Sequence, residues 1–213
     1  MSFYGIDKRE EFLLSMLPVG DAFDFPEVFR LAEQMFVPVL PRTSAQFLKQ
    51  IVLLKKPSKI LEIGTGIGYS GLLMLGSSNA HLYTMDISEK NLSTAKQNFE
   101  KYGYEKRVTT LLGDASEFLP LFTGDADLIF LDGPKGRYYE YYPYLKKLLN
   151  SGGALVCDNV LYSGRITGES ETPHSKQTIT DRLNKFFELI KNDRKMDTSI
   201  IPVGDGMSLS IKK

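Results

Sequence analysis

The chain has 213 residues, 42% hydrophobic and 24% charged, which fits one globular domain with a full core. Its 26 basic and 26 acidic side chains cancel, so no global field marks it as a nucleic-acid binder, although a local patch remains open to it. A single cysteine, Cys157, excludes an intrachain disulfide, no apolar run reaches the ~18–20 residues of a membrane span, and the first residues lack a secretion signal's apolar segment, so a cytoplasmic protein without a membrane partner is expected.

Residues 6–36 read as two helices. Asp7 can cap the first, which carries Phe12, Leu13, Met16 and Leu17 and stops at Pro18-Val19-Gly20; Pro26 opens the second, with Val28, Phe29, Leu31, Ala32 and Met35. Val37-Pro38-Val39-Leu40-Pro41 is an extended connector, after which Thr43 or Ser44 is expected to cap a third helix presenting Phe47, Leu48, Ile51, Val52 and Leu54. From Lys59 the pattern alternates. Strands are expected at 60–63, 81–85, 107–112, 126–131 and 154–157, with helices starting at Tyr69, Ser88, Ala115, Tyr138 and Thr178 and a turn at Ser151-Gly152-Gly153. Two further strands, Thr198–Val203 and Met207–Ile211, flank Gly204-Asp205-Gly206. The expected fold is α/β: a doubly wound, Rossmann-like, seven-stranded, mostly parallel sheet with an antiparallel C-terminal hairpin and helices on both faces. Residues 1–56 form a helical extension and 57–213 the core of a single domain.

The stretch K-I-L-E-I-G-T-G-I-G-Y-S (59–70) runs from a buried strand through Gly64, Gly66 and Gly68 into a helix start, a place where a ligand touches backbone directly. A dinucleotide fingerprint needs glycine at position 69, where this chain has Tyr69. Glu62, two residues before the first glycine, would repel a pyrophosphate and suits a ligand with a cationic portion. Both features disfavour a nicotinamide oxidoreductase and favour S-adenosylmethionine.

Acids or amides end the early strands: Glu62, Asp86, Asp114, Asp132 and the pair Asp158-Asn159. Helix capping accounts for a single acid such as Asp114, but not for the set. Asp86 follows Gly66 by twenty residues, the distance at which an acid reaches a ribose, and Asp114-Ala115 is placed to meet an adenine. Asp132, Asp158 and Asn159 offer only oxygen donors, which suit magnesium or calcium; a polar crevice without metal is the other reading. Lys135 lies beside this cluster and is a candidate general base if its pKa is lowered by a neighbouring cation.

Together, I-L-E-I-G-T-G-I-G-Y-S, Met85-Asp86, Gly113-Asp114-Ala115, L-D-G-P-K-G-R-Y (131–138), D-N-V-L (158–161) and Gly204-Asp205-Gly206 resemble the metal-dependent class I O-methyltransferases, which include catechol and caffeoyl-coenzyme A O-methyltransferases. The length, the V-P-V-L-P lead-in and the hairpin are most similar to the branch that methylates 5-hydroxyuridine in bacterial tRNA. The resemblance implies that Glu62, Gly64, Gly66, Tyr69 and Ser70 hold the methionine part of the donor, Asp86 the ribose, and Asp114 with Ala115 the adenine. It implies that Asp132, Asp158 and Asn159 ligate Mg2+, that Lys135 is the base and Asp132 also serves the reaction and the donor site, and that Leu40 supplies a backbone contact near the methyl donor. A homodimer is implied as well. Gly133-Pro134 replaces the aromatic segment of catechol enzymes, and the chain has no Trp.

The reaction implied is an in-line displacement in which an oxygen takes the sulfonium methyl, with magnesium chelating the target hydroxyl and a neighbouring oxygen. Catechols and 5-hydroxyuridine both meet that requirement, so the partner is either a tRNA anticodon loop or a small catechol-like substrate. For RNA the candidate contacts are Arg42, Arg137, Arg165 and Lys176, with Tyr138, Tyr139, Tyr141 and Tyr142 as stacking surfaces; a tyrosine run packed in the core is the plainer reading. Residues 162–176 are the candidate substrate lid.

Overall fold

Alternate residues of the strand Ala126–Leu131 feed two different cores: Leu128 and Phe130 on one side, Ile129 and Leu131 on the other. A strand buried on both faces reads as a continuous apolar run and belongs in the middle of a helix-covered sheet. The computed structural model describes residues 8–16 and 24–213. In chain order the elements are α1 (Lys8–Ser15), α2 (Pro26–Met35), α3 (Arg42–Lys55), β1 (Lys59–Ile63), α4 (Tyr69–Gly76), β2 (His81–Asp86), α5 (Glu89–Lys101) and β3 (Val108–Leu112). They continue with α6 (Ala115–Phe118), β4 (Ala126–Leu131), α7 (Tyr138–Leu148), β5 (Leu149–Cys157), α8 (His174–Asn192), β6 (Met196–Ile201) and β7 (Met207–Lys212).

The seven strands form one sheet in the order β3-β2-β1-β4-β5-β7-β6. The first five run parallel, and β7 pairs antiparallel with both β5 and β6. One face packs against α2, α3, α4 and α5 through Val28, Leu48, Val52, Leu72 and Phe99; the other packs against α7 and α8 through Tyr138, Leu145, Leu183 and Phe186. The strand order reverses between β1 and β4, and the crevice outside their carboxyl ends is where an open α/β sheet binds its ligands.

Local chemistry accounts for many boundaries. Pro26 sits in the first turn of α2, and Ser88 caps α5 by accepting from the Asn91 amide at 3.2 Å. Several expectations fail: α8 begins at His174 rather than Thr178, and β6 spans Met196–Ile201 rather than 198–203. Pro41, not Thr43 or Ser44, precedes the first turn of α3; both hydroxyl side chains lie buried inside that turn, where tertiary packing outweighs their capping preference. Ser151-Gly152-Gly153 is part of β5, which pairs from Leu149 onward across an irregularity in its register with β4. Leu54 is 84% exposed rather than on the buried face of α3. On α1, Phe12 and Met16 are likewise exposed, at 64% and 70%. Asp7, Leu17 and residues 18–20 lie outside the described residues.

Candidate active site

The glycine turn after β1 is shaped by three left-handed glycines, Gly64 (φ 99°), Gly66 (φ 51°) and Gly68 (φ 87°). Gly64 could carry no other side chain, because a Cβ there would stand 2.3 Å from the Asp132 carbonyl oxygen at the end of β4. Beneath the turn, Glu62 is fully buried. Its Oε1 accepts from the Ser70 hydroxyl and its Oε2 from the Thr84 hydroxyl, both at 2.5 Å, and Thr84 also meets Thr65 at 2.6 Å. Desolvation outweighs these two hydrogen bonds and pushes the Glu62 carboxyl up to about 7.

Glu62 and Ser70 are therefore committed to one another. The Tyr69 side chain is buried edge-on against Phe29, with ring centroids 5.7 Å apart, so it faces the helical layer. Asp86 accepts from the Gly66 amide through Oδ2 and from the Ser88 amide through Oδ1, each at 2.8 Å. This fixes the carboxylate beside the turn while leaving lone pairs for a diol. Asp114 caps α6 by accepting from the Ser116 amide at 2.8 Å, and that bond holds its carboxyl below the usual range. Ala115 is buried behind it, and Leu40 is buried at the entry to α3.

Asp132 and Asp158 follow directly on the paired strands β4 and β5. The Lys135 ammonium donates to Asp132 Oδ1 at 3.0 Å. Asp158 is 2% exposed and its Oδ1 has no hydrogen-bond partner among the described residues. Burial, reinforced by Asp132, pushes the Asp158 carboxyl up to about 8; burial also pushes Asp132 up, against the pull of Lys135. Asn159 is buried beside them in a left-handed conformation, φ 53°. An orphaned buried carboxylate oxygen, a second carboxylate that repels it and an adjacent amide oxygen fit a hard divalent cation, which would satisfy the orphan and relieve the repulsion.

The residues considered for an acceptor divide. Tyr138 is buried with its hydroxyl donating to the Leu131 and Asp158 carbonyls, and Tyr141 and Tyr142 are buried too, so none of the three offers a face for stacking. This corrects the stacking role for Tyr138: its ring packs against Phe186 in the core. Tyr139 remains partly exposed, with Arg182 and Lys185 6.0 and 5.7 Å from its ring centroid. Arg137 is paired with Glu140 at 2.5 Å, Arg42 is half-buried in the first turn of α3, and Lys176 is exposed in the first turn of α8. The Arg165 guanidinium lies 5.1 Å from the Tyr162 ring centroid.

One contributor escaped sequence reasoning, and a second, Asp205, stood there only within the Gly204-Asp205-Gly206 motif, with no role of its own. Thr84 binds Glu62 because β1 and β2 pair those two positions, a register no single strand reveals. Asp205, in the β6–β7 turn, accepts from the Ser163 amide at 2.6 Å, and burial pushes its carboxyl up.

The sequence model of the family described as "O-methyltransferase" matches residues 28–213. The chain belongs to that family. A catechol O-methyltransferase from Niastella koreensis is 30% identical over 179 residues, covering 79% of each chain. A caffeoyl-CoA O-methyltransferase from Stellaria longipes is 28% identical over 174 residues, covering 78% of this chain and 72% of that one. The solved structure of an SAH-bound methyltransferase from Podospora anserina superposes with a TM-score of 0.84 at 26% identity, covering 100% of this chain and 99% of that one. The protein is an S-adenosylmethionine-dependent O-methyltransferase, and the crevice between β1 and β4 is its candidate active site.

Proposed function

We propose that this O-methyltransferase is metal-dependent, that it methylates a hydroxyl standing beside a second oxygen, and that its acceptor is 5-hydroxyuridine at the wobble position of a tRNA anticodon loop, giving 5-methoxyuridine. The orphaned Asp158 Oδ1 beside Asp132 carries the metal part of this reading. Asp132, Asp158 and Asn159 would hold Mg2+, which supplies chelation of the two acceptor oxygens and a lowered pKa for the reacting hydroxyl. Asp86 would hold the donor's ribose and Asp114 with Ala115 its adenine. The glycine turn offers backbone to the methionine part, and Glu62 and Ser70 hold that turn in shape. Lys135, whose ammonium donates to Asp132, would be the base: it would first release a proton to solvent and then, as the neutral amine, take the proton of the acceptor hydroxyl.

For the acceptor, the support is the sequence resemblance together with pairs of cations and half-buried aromatics, Arg165 against Tyr162 and Tyr139 between Arg182 and Lys185, and the exposed Lys176. A planar base can stack there and phosphates can meet the cations. The second reading is a small catechol-like acceptor, favoured by the catechol and caffeoyl-CoA relatives, which match this chain over two thirds of their length or more. The deciding experiment is methyl transfer from labelled S-adenosylmethionine with Mg2+ to tRNA carrying 5-hydroxyuridine, run beside a simple catechol. Labelling of the tRNA is expected; labelled catechol with inert tRNA would replace this reading by the second.

A further inference from the structure

Three residues within five positions after β5 sit in the left-handed region that side chains other than glycine avoid: Asn159 (φ 53°), Tyr162 (φ 52°) and Ser163 (φ 54°). Such backbone persists only where its surroundings over-determine it. Residues 160, 161 and 163 are each held by the turn between β6 and β7. The Gly206 carbonyl accepts from the Val160 amide and the Asp205 carbonyl from the Leu161 amide, both at 3.0 Å. The Asp205 carboxylate then accepts from the Ser163 amide at 2.6 Å.

The turn is also wedged tightly against its neighbours. A Cβ at Gly206 would meet Leu161 Cγ at 2.4 Å, and one at Gly204 would meet Ser44 Oγ at 2.2 Å. Beyond Ser163 the loop closes on itself, with Ile166 donating to the Leu161 carbonyl and Arg165 to the Tyr162 carbonyl. Asp205 thus binds the segment that begins at Asn159 and opens the loop of residues 162–173 ahead of α8, through both its carbonyl and its side chain.

We propose that Asp205 is a positioning residue, a latch that holds residues 160–163 so that the Asn159 amide is aimed into the metal site and the loop over the acceptor is kept closed. This rests on the proposed metal-dependent reading. The latch acts through its acceptor oxygens, not its charge. An amide in the same place should therefore serve, and relieving the strain at position 163 should reduce the need for it.

The test uses the full chain and three variants, Asp205→Ala, Asp205→Asn and the double variant Asp205→Ala/Ser163→Gly. Two quantities are read besides turnover: Mn2+ affinity by electron paramagnetic resonance, and the rate of tryptic cutting at Arg165 and Lys176. Asp205→Ala should weaken Mn2+ binding about 10–100-fold, as loss of a support behind a metal ligand does, and speed cutting by about tenfold or more. Asp205→Asn should stay within about threefold of the parent on both, and Ser163→Gly should recover much of the loss, since glycine adopts positive φ without strain. S-adenosylhomocysteine affinity should be unchanged throughout, which shows that the variants are folded. Parent-like behaviour of Asp205→Ala, or an Asp205→Asn as impaired as Asp205→Ala, overturns the latch. A parent chain that binds no Mn2+ would defeat the metal reading instead, while the cutting rates still judge the latch.

Discussion

The Glu62 carboxylate and the Thr84 hydroxyl face one another across β1 and β2 at 2.5 Å, in a position that excludes water completely. A buried acid whose hydrogen bonds do not repay its desolvation is a pH-dependent element of stability.

The sign follows from the direction of the shift. Glu62 moves from 4.5 to about 7, so the fold favours its protonated form. Its contribution is full below pH 4.5, falls as pH rises toward 7, and is flat above. The shift corresponds to about 3 kcal/mol. Glu62→Gln keeps the hydrogen-bonding shape without the proton. The stability of the parent relative to this variant should therefore drop by up to that amount between pH 4.5 and 8, measured by urea unfolding without ligand. A difference that stays constant with pH would refute it.

Gly64 and Gly66 should not tolerate alanine equally. At Gly64 the new Cβ collides with the Asp132 carbonyl at a φ of 99°, whereas at Gly66 its nearest neighbour is Val37 Cγ1 at 3.8 Å. Gly64→Ala should cost about 3 kcal/mol or more and abolish donor binding; Gly66→Ala, strained in φ alone, should cost about 1 kcal/mol. Thermal unfolding of the two variants compares them directly, and equal shifts would contradict the close approach of β1 and β4.

Asp158→Ala should abolish turnover while leaving S-adenosylhomocysteine affinity within about threefold, because Asp158 lies on the β5 side of the crevice, away from the glycine turn. A chelator should reproduce the loss in the parent chain. Undiminished turnover in either case would remove the metal from the mechanism.

Lys135→Ala should lower kcat by about 10²–10⁴-fold with little change in donor affinity. The pH–rate profile should lose its acidic limb, the rise in rate as the base deprotonates, together with the rate. A loss under tenfold would mean that another group takes the proton.

Leu54, Phe12 and Met16 are exposed apolar side chains on α1 and α3, and in the homodimer proposed from the sequence resemblance a second copy of the chain would cover them. A homodimer is expected by sedimentation, and Leu54→Glu should shift it toward monomer. A monomeric parent chain at high concentration would rule the dimer out.

The acids at strand ends were legible in the sequence because a parallel sheet brings every carboxyl end to one edge, so the fold class alone gathered Asp86, Asp132, Asp158 and Asn159 there. The bounds of β4 and the Ser88 cap were legible for a similar reason: hydrophobicity and capping are local. What depended on distant partners was not. Thr43 and Ser44 read as caps, yet Ser44 is buried under the Gly204 turn, about 160 residues along the chain. The Ser151-Gly152-Gly153 stretch reads as a turn until β4 lies beside it to complete a ladder. The tyrosines after Lys135 showed their number but not their direction, and packing against α8 turned Tyr138 and Tyr142 inward.

The insertion of β7 between β5 and β6 has a consequence for how the chain is made. β5 ends at Cys157 and its antiparallel neighbour begins at Met207, so fifty residues separate the two sides of that ladder. At the ~5–20 residues per second of translation, a nascent chain carries β5 with a bare outer edge for several seconds. During that interval the hydrophobic strand is open to pairing with a neighbouring nascent chain on the same message. Asn159 and the loop beyond it also lack the turn that shapes them, so the proposed metal site would be completed only when that turn leaves the ribosome.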